Sequence, residues 1–364
     1  MEHLDRLGFD EAWIGEHHSA GFEIIASPEV FIATAAQRTS RIRFGTGVSS
    51  LPTTTLMLAD RMVLLDHLTR GRAALGCGPG ALPTDAFMMG IDVARQRDMM
   101  EESLEAILRL LAGEVVTMET DWFTLRDARL QLLPYTQPRF EVAVAAQVSP
   151  SGPRAAGRFG CSLLSIGATT QGGFDLLGSH WDVMEERAEQ FSISADRGRW
   201  RLVAPIHVAE TKEQAYRDVE FGLPDWIDYF QRVAALPLAP DASGATELAD
   251  AMNASGFAVI GTPDDVVAQI ERLADQSGGF GTFLCMGHDW ADRAATHRSY
   301  ELLAREVMPR FQGSATSLTS SRDWAAEHRP EFIGAAGGAV MGAIQTHHAE
   351  REARARRAEG AAAD

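Results

Sequence analysis

"FEVAVAAQVSPSGPRAAGRFGCSLLSIGA", residues 140–168, reads as strand, turn, helix and strand in one short span. Its two outer runs, 140–147 and 161–168, place apolar residues at consecutive positions, Ala143-Val144-Ala145-Ala146 in the first and Leu163-Leu164 in the second. A strand that is apolar on both sides is covered on both faces, the situation of a strand in a parallel sheet wrapped by helices. The serine- and glycine-containing turn between them, Ser149-Pro150-Ser151-Gly152, opens the helix that returns the chain to the same end of the sheet.

The same grammar extends in both directions. "DEAWIGEH" (10–17), "RIRFGTGVSS" (41–50), "RAALGCGPG" (72–80), "WRLVAPIHVAE" (200–210) and "GTFLCMGHD" (281–289) also read as strands. Helical patterns separate them and carry recognisable starts. Ser27-Pro28-Glu29 and Thr262-Pro263-Asp264-Asp265 place a hydroxyl cap before a proline whose missing N–H costs nothing in a first turn. Thr211 to Gln214 has capping-box spacing. A repeated β-α order implies a parallel sheet, closed or doubly wound. Three segments interrupt it: a hairpin-like alternation at 115–133, an insertion at 169–195, and the stretch 222–258. Residues 1–311 are expected to form the barrel. Residues 312–364 are expected to form a C-terminal extension, helical in patches and frayed at "RARRAEGAAAD".

The 364 residues, 45% of them hydrophobic, suffice for a large core, and an α/β barrel of this size is commonly one domain. A formal charge of −17 argues against a nucleic-acid-binding surface. Lys212 is the sole lysine, a composition bias with no mechanistic content. Cys77, Cys161 and Cys285 are far apart and follow no CxxC spacing, so neither a disulfide framework nor a zinc site is expected. No signal peptide is visible, and "IGAAGGAVMGAI" (333–344) is too short to span a bilayer. The expectation is a soluble, cytoplasmic protein with no membrane and no nucleic-acid partner.

In a parallel barrel, ligands gather at the carboxyl ends of the strands, where the βα loops converge. The polar residues there are Glu16-His17-His18, Gly45 to Ser50, Gly76 to Gly80, Gln147 to Gly152, Ser165 to Ala168, His207 and His288-Asp289. Serine hydroxyls and free N–H groups at the start of the helix after Ser149 suit a phosphate, though a capped turn, a routine feature, is the plainer account of them. "GCGPG" (76–80) is neither GxGxxG nor a P-loop, and a tight turn explains it. On a strand His17 and His18 point to opposite faces, which disfavours a shared metal. One histidine titrating near neutrality suits acid–base work; a hydrogen-bonded structural histidine is the plain alternative.

"GFDEAWIGEHH", "RIRFGTGVSSLP", "RMVLLDHLTRGRAALGCGPG", "RQRDMMEESLEAI", "VAVAAQVSPSGPRAAGRFG" and "IGTPDDVVAQIERL" together resemble the bacterial-luciferase-like flavin-dependent monooxygenases, with the flavour of the limonene and diketocamphane monooxygenase branch. The resemblance runs from residue 1 to about residue 310, and six motifs fall in order. It implies a (β/α)8 TIM barrel that binds FMN as FMNH2 supplied by a separate flavin reductase, uses O2 through a C4a-peroxyflavin, and oxygenates a small apolar substrate such as a terpene, cyclic ketone or polyketide-like ring. Carried over by position, His17 resembles the proposed catalytic base. Gly47-Val48 falls where a cis peptide lies beneath the flavin ring. Gln147, Val148, Ser149, Ser151 and Gly152 fall on the FMN phosphate segment, and Arg97 on an arginine near it. No metal is implied. A homodimer is implied, through the helices after the family's second and third strands, 10–17 and 41–50 here.

Two departures accompany the resemblance. Gly78 and Pro79 stand where luciferase has a cysteine and a phosphate-binding arginine, so Arg97 and the "SPSG" turn are left to hold the phosphate. The chain also starts within the helix that normally follows the first strand, so the barrel is expected to lack that strand and to expose two neighbouring edges. Two other readings keep the barrel: an F420-dependent hydride-transfer enzyme, and a catalytically silent flavin-binding or partner subunit. A zinc hydrolase is disfavoured by the ligand spacing.

Overall fold

A computed structural model describes residues 1–21, 23–52, 55–233, 242 and 244–361. Residues 234–241 and 243 of the expected 222–258 insertion, and 362–364 of the expected frayed end, lie outside the described residues. The chain divides into two compact units, Met1–Val307 and Met308–Asp364.

The first unit is an α/β barrel-like fold. Its strands are β1 (Glu11–Ile14), β2 (Arg43–Thr46), β3 (Ser49–Ser50), β4 (Ala73–Gly78), β5 (Val116–Glu119), β6 (Thr124–Ala128), β7 (Glu141–Ala146), β8 (Ser162–Ser165), β9 (Arg201–Val208), β10 (Val259–Gly261) and β11 (Thr282–Met286). β5 and β6 form a separate antiparallel hairpin within 115–133. The other nine form one sheet in the order β1-β2-β4-β7-β8-β9-β10, with β3 on β4 and β11 on β9, and every pairing is parallel. The apolar-on-both-sides strands are buried as that pattern requires: β4 and β8 are buried at every position. β10 was not among the expected strands. Its three residues are too few to show a period, and its ladder to Ile206–Val208 fixes it instead.

Among the described residues β1 pairs only with β2, and β11 only with β9. Side chains span the seam between them. Phe9 packs into the clusters on both sides and meets Tyr300 edge-on at 5.8 Å. His3, on the helix Glu2–Leu7, stacks on His297 at 4.5 Å.

Inside the sheet, the strand starts carry a charged layer absent from the sequence expectations. Arg201 is 3% exposed and grips Glu11 with two bonds of 2.7 Å and Glu141 with bonds of 2.8 and 3.0 Å. Arg43 reaches the same two carboxylates at 3.1 and 2.9 Å, and Ser162 donates to Glu141 at 2.5 Å. Burial alone raises both carboxyls, but the Arg201 bonds outweigh it, and Glu141 is held at about 2. The next layer is one side chain. Trp13 donates from Nε1 to Glu11 at 3.0 Å, lies under the Arg201 guanidinium at 5.0 Å, and extends over Gly45 and Gly76, where any Cβ would strike its indole.

Two of the three helix starts expected from the sequence carry their caps. The N–H and hydroxyl of Thr262 both donate to Asp265, at 2.7 and 2.8 Å, and the Gln214 N–H donates to Thr211 Oγ1. Ser27 does not cap its helix, because its hydroxyl donates to Glu29 Oε2 at 2.8 Å instead. The second unit carries the helices Thr316–Glu327 and Arg329–Ala361. The latter runs unbroken through "RARRAEG" where helical patches were expected. Alanine content and i,i+4 pairs such as Glu352–Arg356 at 3.3 Å favour that. No helix among the described residues is long and apolar enough to cross a membrane.

Candidate active site

Because the strands are parallel, the loops after β1, β2, β4 and β7 leave from one end of the sheet. Short contacts join them into a continuous rim. The Gly47 N–H donates to the Ile14 carbonyl at 2.6 Å, tying the end of β2 to the end of β1. The Gly47–Val48 peptide bond is cis. The Val48 side chain lies over Gly78, leaving a Cβ there only 2.9 Å from Val48 Cγ2 and 3.6 Å from Ala145. Gly152 in turn sits so near the Ala145 carbonyl that a Cβ would collide with it. His17 and the Ser149–Gly152 corner therefore belong to one end of the sheet.

β1 ends at Ile14, so Glu16, His17 and His18 are loop residues, not strand residues on alternate faces as expected. The four-residue strand leaves each ring free to choose its own partner. His18 Nε2 pairs with Glu16 Oε1 at 3.0 Å, and the burial that lifts the Glu16 carboxyl is partly offset by that pairing. His17 is 15% exposed and lies between two carboxylates that sequence reasoning missed. Its Nδ1 is 2.9 Å from Asp85 Oδ2, and its Nε2 is 3.7 Å from Glu23 Oε2. Asp85 also accepts from the Ser19 hydroxyl at 2.5 Å and the His18 N–H at 3.2 Å. Burial pushes Asp85 up, but the bonds from Ser19, His17 and His18 outweigh it and keep it ionised below its usual range. An ionised carboxylate only accepts, so His17 Nδ1 carries an N–H toward Asp85 and Nε2 faces Glu23. Tyr229, on the helix Leu223–Arg232 that carries the expected insertion, completes the cluster. Burial, then the charges of Asp85 and Glu23, push its hydroxyl up. Asp85 lies on the short helix Pro83–Met89, where its position reads as an ordinary first-turn acid; nothing local connects it to a histidine 68 positions away.

At the other corner, Ser149 Oγ lies 3.0 Å from Ser151 Oγ and accepts from the Ser151 N–H at 3.3 Å. Helix Ser151–Phe159 starts there. Gln147 and Val148 are exposed, and the Val148 carbonyl accepts from the buried His180 Nε2 at 3.1 Å. Arg97 is exposed in the first turn of helix Gln96–Leu111, which lies beside Ser151–Phe159 through Arg158 bonds to Glu101 and Glu105 of 3.1 and 3.0 Å. Two buried polar atoms on this rim, Ser49 Oγ and His180 Nδ1, have no hydrogen-bond partner among the described residues.

Two other strand-end candidates are engaged elsewhere. His207 is 1% exposed and bonded to Asp218 at 3.2 Å, and Asp218 is further held by Arg298. His288 bonds the Ile206 carbonyl and stacks on Trp290 at 3.9 Å; burial drives it down to about 3, so it stays neutral. Burial likewise lifts the Cys77 thiol well above its normal range. Among the described residues no cluster of histidine, cysteine and acidic side chains could hold a metal.

With this geometry in hand, known proteins provide context. A family model described as luciferase-like monooxygenase matches residues 1–279. The chain is 50% identical over 315 residues to limonene 1,2-monooxygenase of Rhodococcus erythropolis, covering 86% of this chain and 80% of that one. It is 45% identical over 334 residues to 4-hydroxyprotoasukamycin monooxygenase of Streptomyces nodosus subsp. asukaensis, covering 90% and 89%. Among solved structures, the oxygenating constituent of 3,6-diketocamphane monooxygenase from Pseudomonas putida, in complex with FMN, superposes with a TM-score of 0.69 at 29% identity, covering 85% of this chain and 91% of that one.

Proposed function

The chain belongs to the luciferase-like monooxygenase family, and from that premise we propose that it is the oxygenating component of a two-component monooxygenase. It takes FMNH2 from a separate flavin reductase and inserts an oxygen atom from O2 into a small apolar substrate, a terpene, cyclic ketone or polyketide-like ring. The observation that carries this reading is the single rim joining the Asp85-bound His17, the cis Gly47–Val48 peptide and the Ser149–Gly152 corner.

The residues fit a flavin. Gly152 brings backbone close where a side chain would not fit, and Ser149, Ser151 and the N–H groups of the first turn of Ser151–Phe159 offer donors to a phosphate, with Arg97 as the nearby cation. The Ser49 hydroxyl, one residue past the cis bond and unpartnered among the described residues, would offer a bound flavin a polar contact. Bound reduced flavin supplies the electrons that activate O2. The chain supplies the rest: His17 Nε2 takes up or returns a proton, and the loops keep water out. Ile24 and Val148, on the loops that carry Glu23 and Ser149, and Phe87, on the helix that carries Asp85, are exposed and apolar, which suits an apolar substrate.

Two further parts of the proposal rest on surface and thiol chemistry. Val30 and Phe31 on helix Pro28–Ala36, and Met57, Leu64 and Leu68 on helix Thr55–Thr69, are exposed and apolar, the character of a homodimer face. All three cysteines are free, in keeping with a reducing cytoplasm.

Anaerobic titration tests the cofactor. FMNH2 is expected to bind at least about tenfold more tightly than reduced riboflavin, since a phosphate held by charge-assisted bonds is worth about 1.5–3 kcal/mol. The double change of Ser149 and Ser151 to Ala should erase most of that difference. Preferential binding of reduced F420, with hydride transfer and no O2 uptake, would replace the monooxygenase reading. A folded chain that binds neither would make it the silent subunit. Offering limonene and a cyclic ketone in the same assay separates epoxidation from ring insertion.

A further inference from the structure

We propose that Glu23 is a positioning residue that passes protons between His17 and solvent, completing a line Asp85–His17–Glu23 across the mouth of the strands. This rests on the reading of His17 as the proton handler.

Three observations place Glu23 in that role. Its carboxylate lies 3.7 Å from His17 Nε2, the ring nitrogen opposite the one that bonds Asp85. Glu23 is 38% exposed while His17 and Asp85 are each 15% exposed, so the line runs from a shielded end to a wet one. The loop is also built to hold it there. The His17 N–H donates to the Glu23 carbonyl at 3.4 Å, Glu23 adopts the left-handed conformation at φ 47, and its carboxylate occupies the space a side chain on Gly15 would take. Gly15 has no positive-φ requirement of its own, so the close approach of Glu23 is the constraint on that position.

The charged and titratable groups around this point are His17 and Asp85, Tyr229 from the helix Leu223–Arg232, and the neighbouring Glu16–His18 pair with Glu29 and Arg61 near Glu16. Burial lifts the Glu23 carboxyl, and the His17 charge opposes that rise. The imidazolium releases its Nε2 proton to the Glu23 carboxylate, leaving neutral His17 and a carboxylic acid that then loses the proton to water; uptake runs in reverse. The 3.7 Å separation is beyond a hydrogen bond, and rotation of the part-exposed Glu23 side chain closes it.

The first test needs no flavin. The Glu23 carboxyl carbon is followed by 13C NMR against pH, its signal identified by its loss in Glu23→Gln. Glu23 is expected to titrate above the ordinary glutamate range and higher still in His17→Gln, because the opposing imidazolium is gone. An ordinary titration that ignores His17→Gln overturns the pairing. The second test uses the loaded enzyme. Glu23→Gln should lower kcat about tenfold or more with KM for flavin and substrate unchanged. Gly15→Ala, which pushes the carboxylate aside without removing it, should do the same. Glu23→Ala should regain kcat as formate is added, which a merely structural residue would not show. Full kcat in Glu23→Gln overturns the relay. Full turnover in His17→Gln sinks the proton-handler reading on which it rests, while the NMR result still reports whether the pair exists.

Discussion

His17→Gln should lower turnover by about 10²- to 10⁴-fold, the span for losing a positioned acid–base group, and should change FMNH2 affinity by less than about threefold. The asymmetry follows from the geometry: His17 lies at the β1 end of the rim, and the proposed phosphate anchor lies at the β7 end. Asp85→Asn makes the sharper variant. It keeps the size of the side chain but replaces an ionised acceptor with an amide that can also donate, so the Nδ1–H tautomer loses its anchor. A fall of about 10²-fold in kcat is expected, with binding again nearly untouched. Stopped-flow turnover and anaerobic flavin titration measure both quantities. Wild-type turnover in both variants would remove the Asp85–His17 pair from the chemistry.

The second large effect is on stability. Arg201→Met should destabilise the Met1–Val307 unit by about 3–5 kcal/mol, since removing one partner strands the other charges in low dielectric. Glu11 and Glu141 would then keep only the part-exposed Arg43 between them, with Arg199 reaching Glu141 alone at 3.5 Å. The loss is amplified by topology, because Arg201 on β9 binds Glu11 on β1 across the side of the sheet where the described strands make no ladder bonds. Urea unfolding followed by tryptophan fluorescence reads it. Combining Arg201→Met with Glu11→Gln and Glu141→Gln should recover much of the loss, which separates stranded charge from lost packing. A single-variant cost below about 1 kcal/mol would mean the network is ornamental.

The same network fixes an acid limit. Glu141 is held at about 2 against an ordinary 4.5, so its contribution, on the order of 3 kcal/mol, is fully present above pH 4.5 and is lost as pH falls from there toward 2. Unfolding midpoints measured across that window should drop in wild type, and drop less in Glu141→Gln.

The sequence by itself determined the parallel α/β architecture, the positions of most strands, the family, and the end of the sheet where chemistry collects. Those features rest on local periodicity, caps and motifs, each written in a short run of residues such as 140–168. Only the tertiary structure decided which groups meet. Asp85 reaches His17 across 68 positions, and Arg201 reaches Glu11 across 190. It also set aside His207, which the fold buries against Asp218, and His288, which it ties to a backbone carbonyl. Local pattern records the period of a strand and the chemistry of a cap, whereas a hydrogen bond between distant loops depends on how the whole sheet closes, and no short window of sequence contains that information.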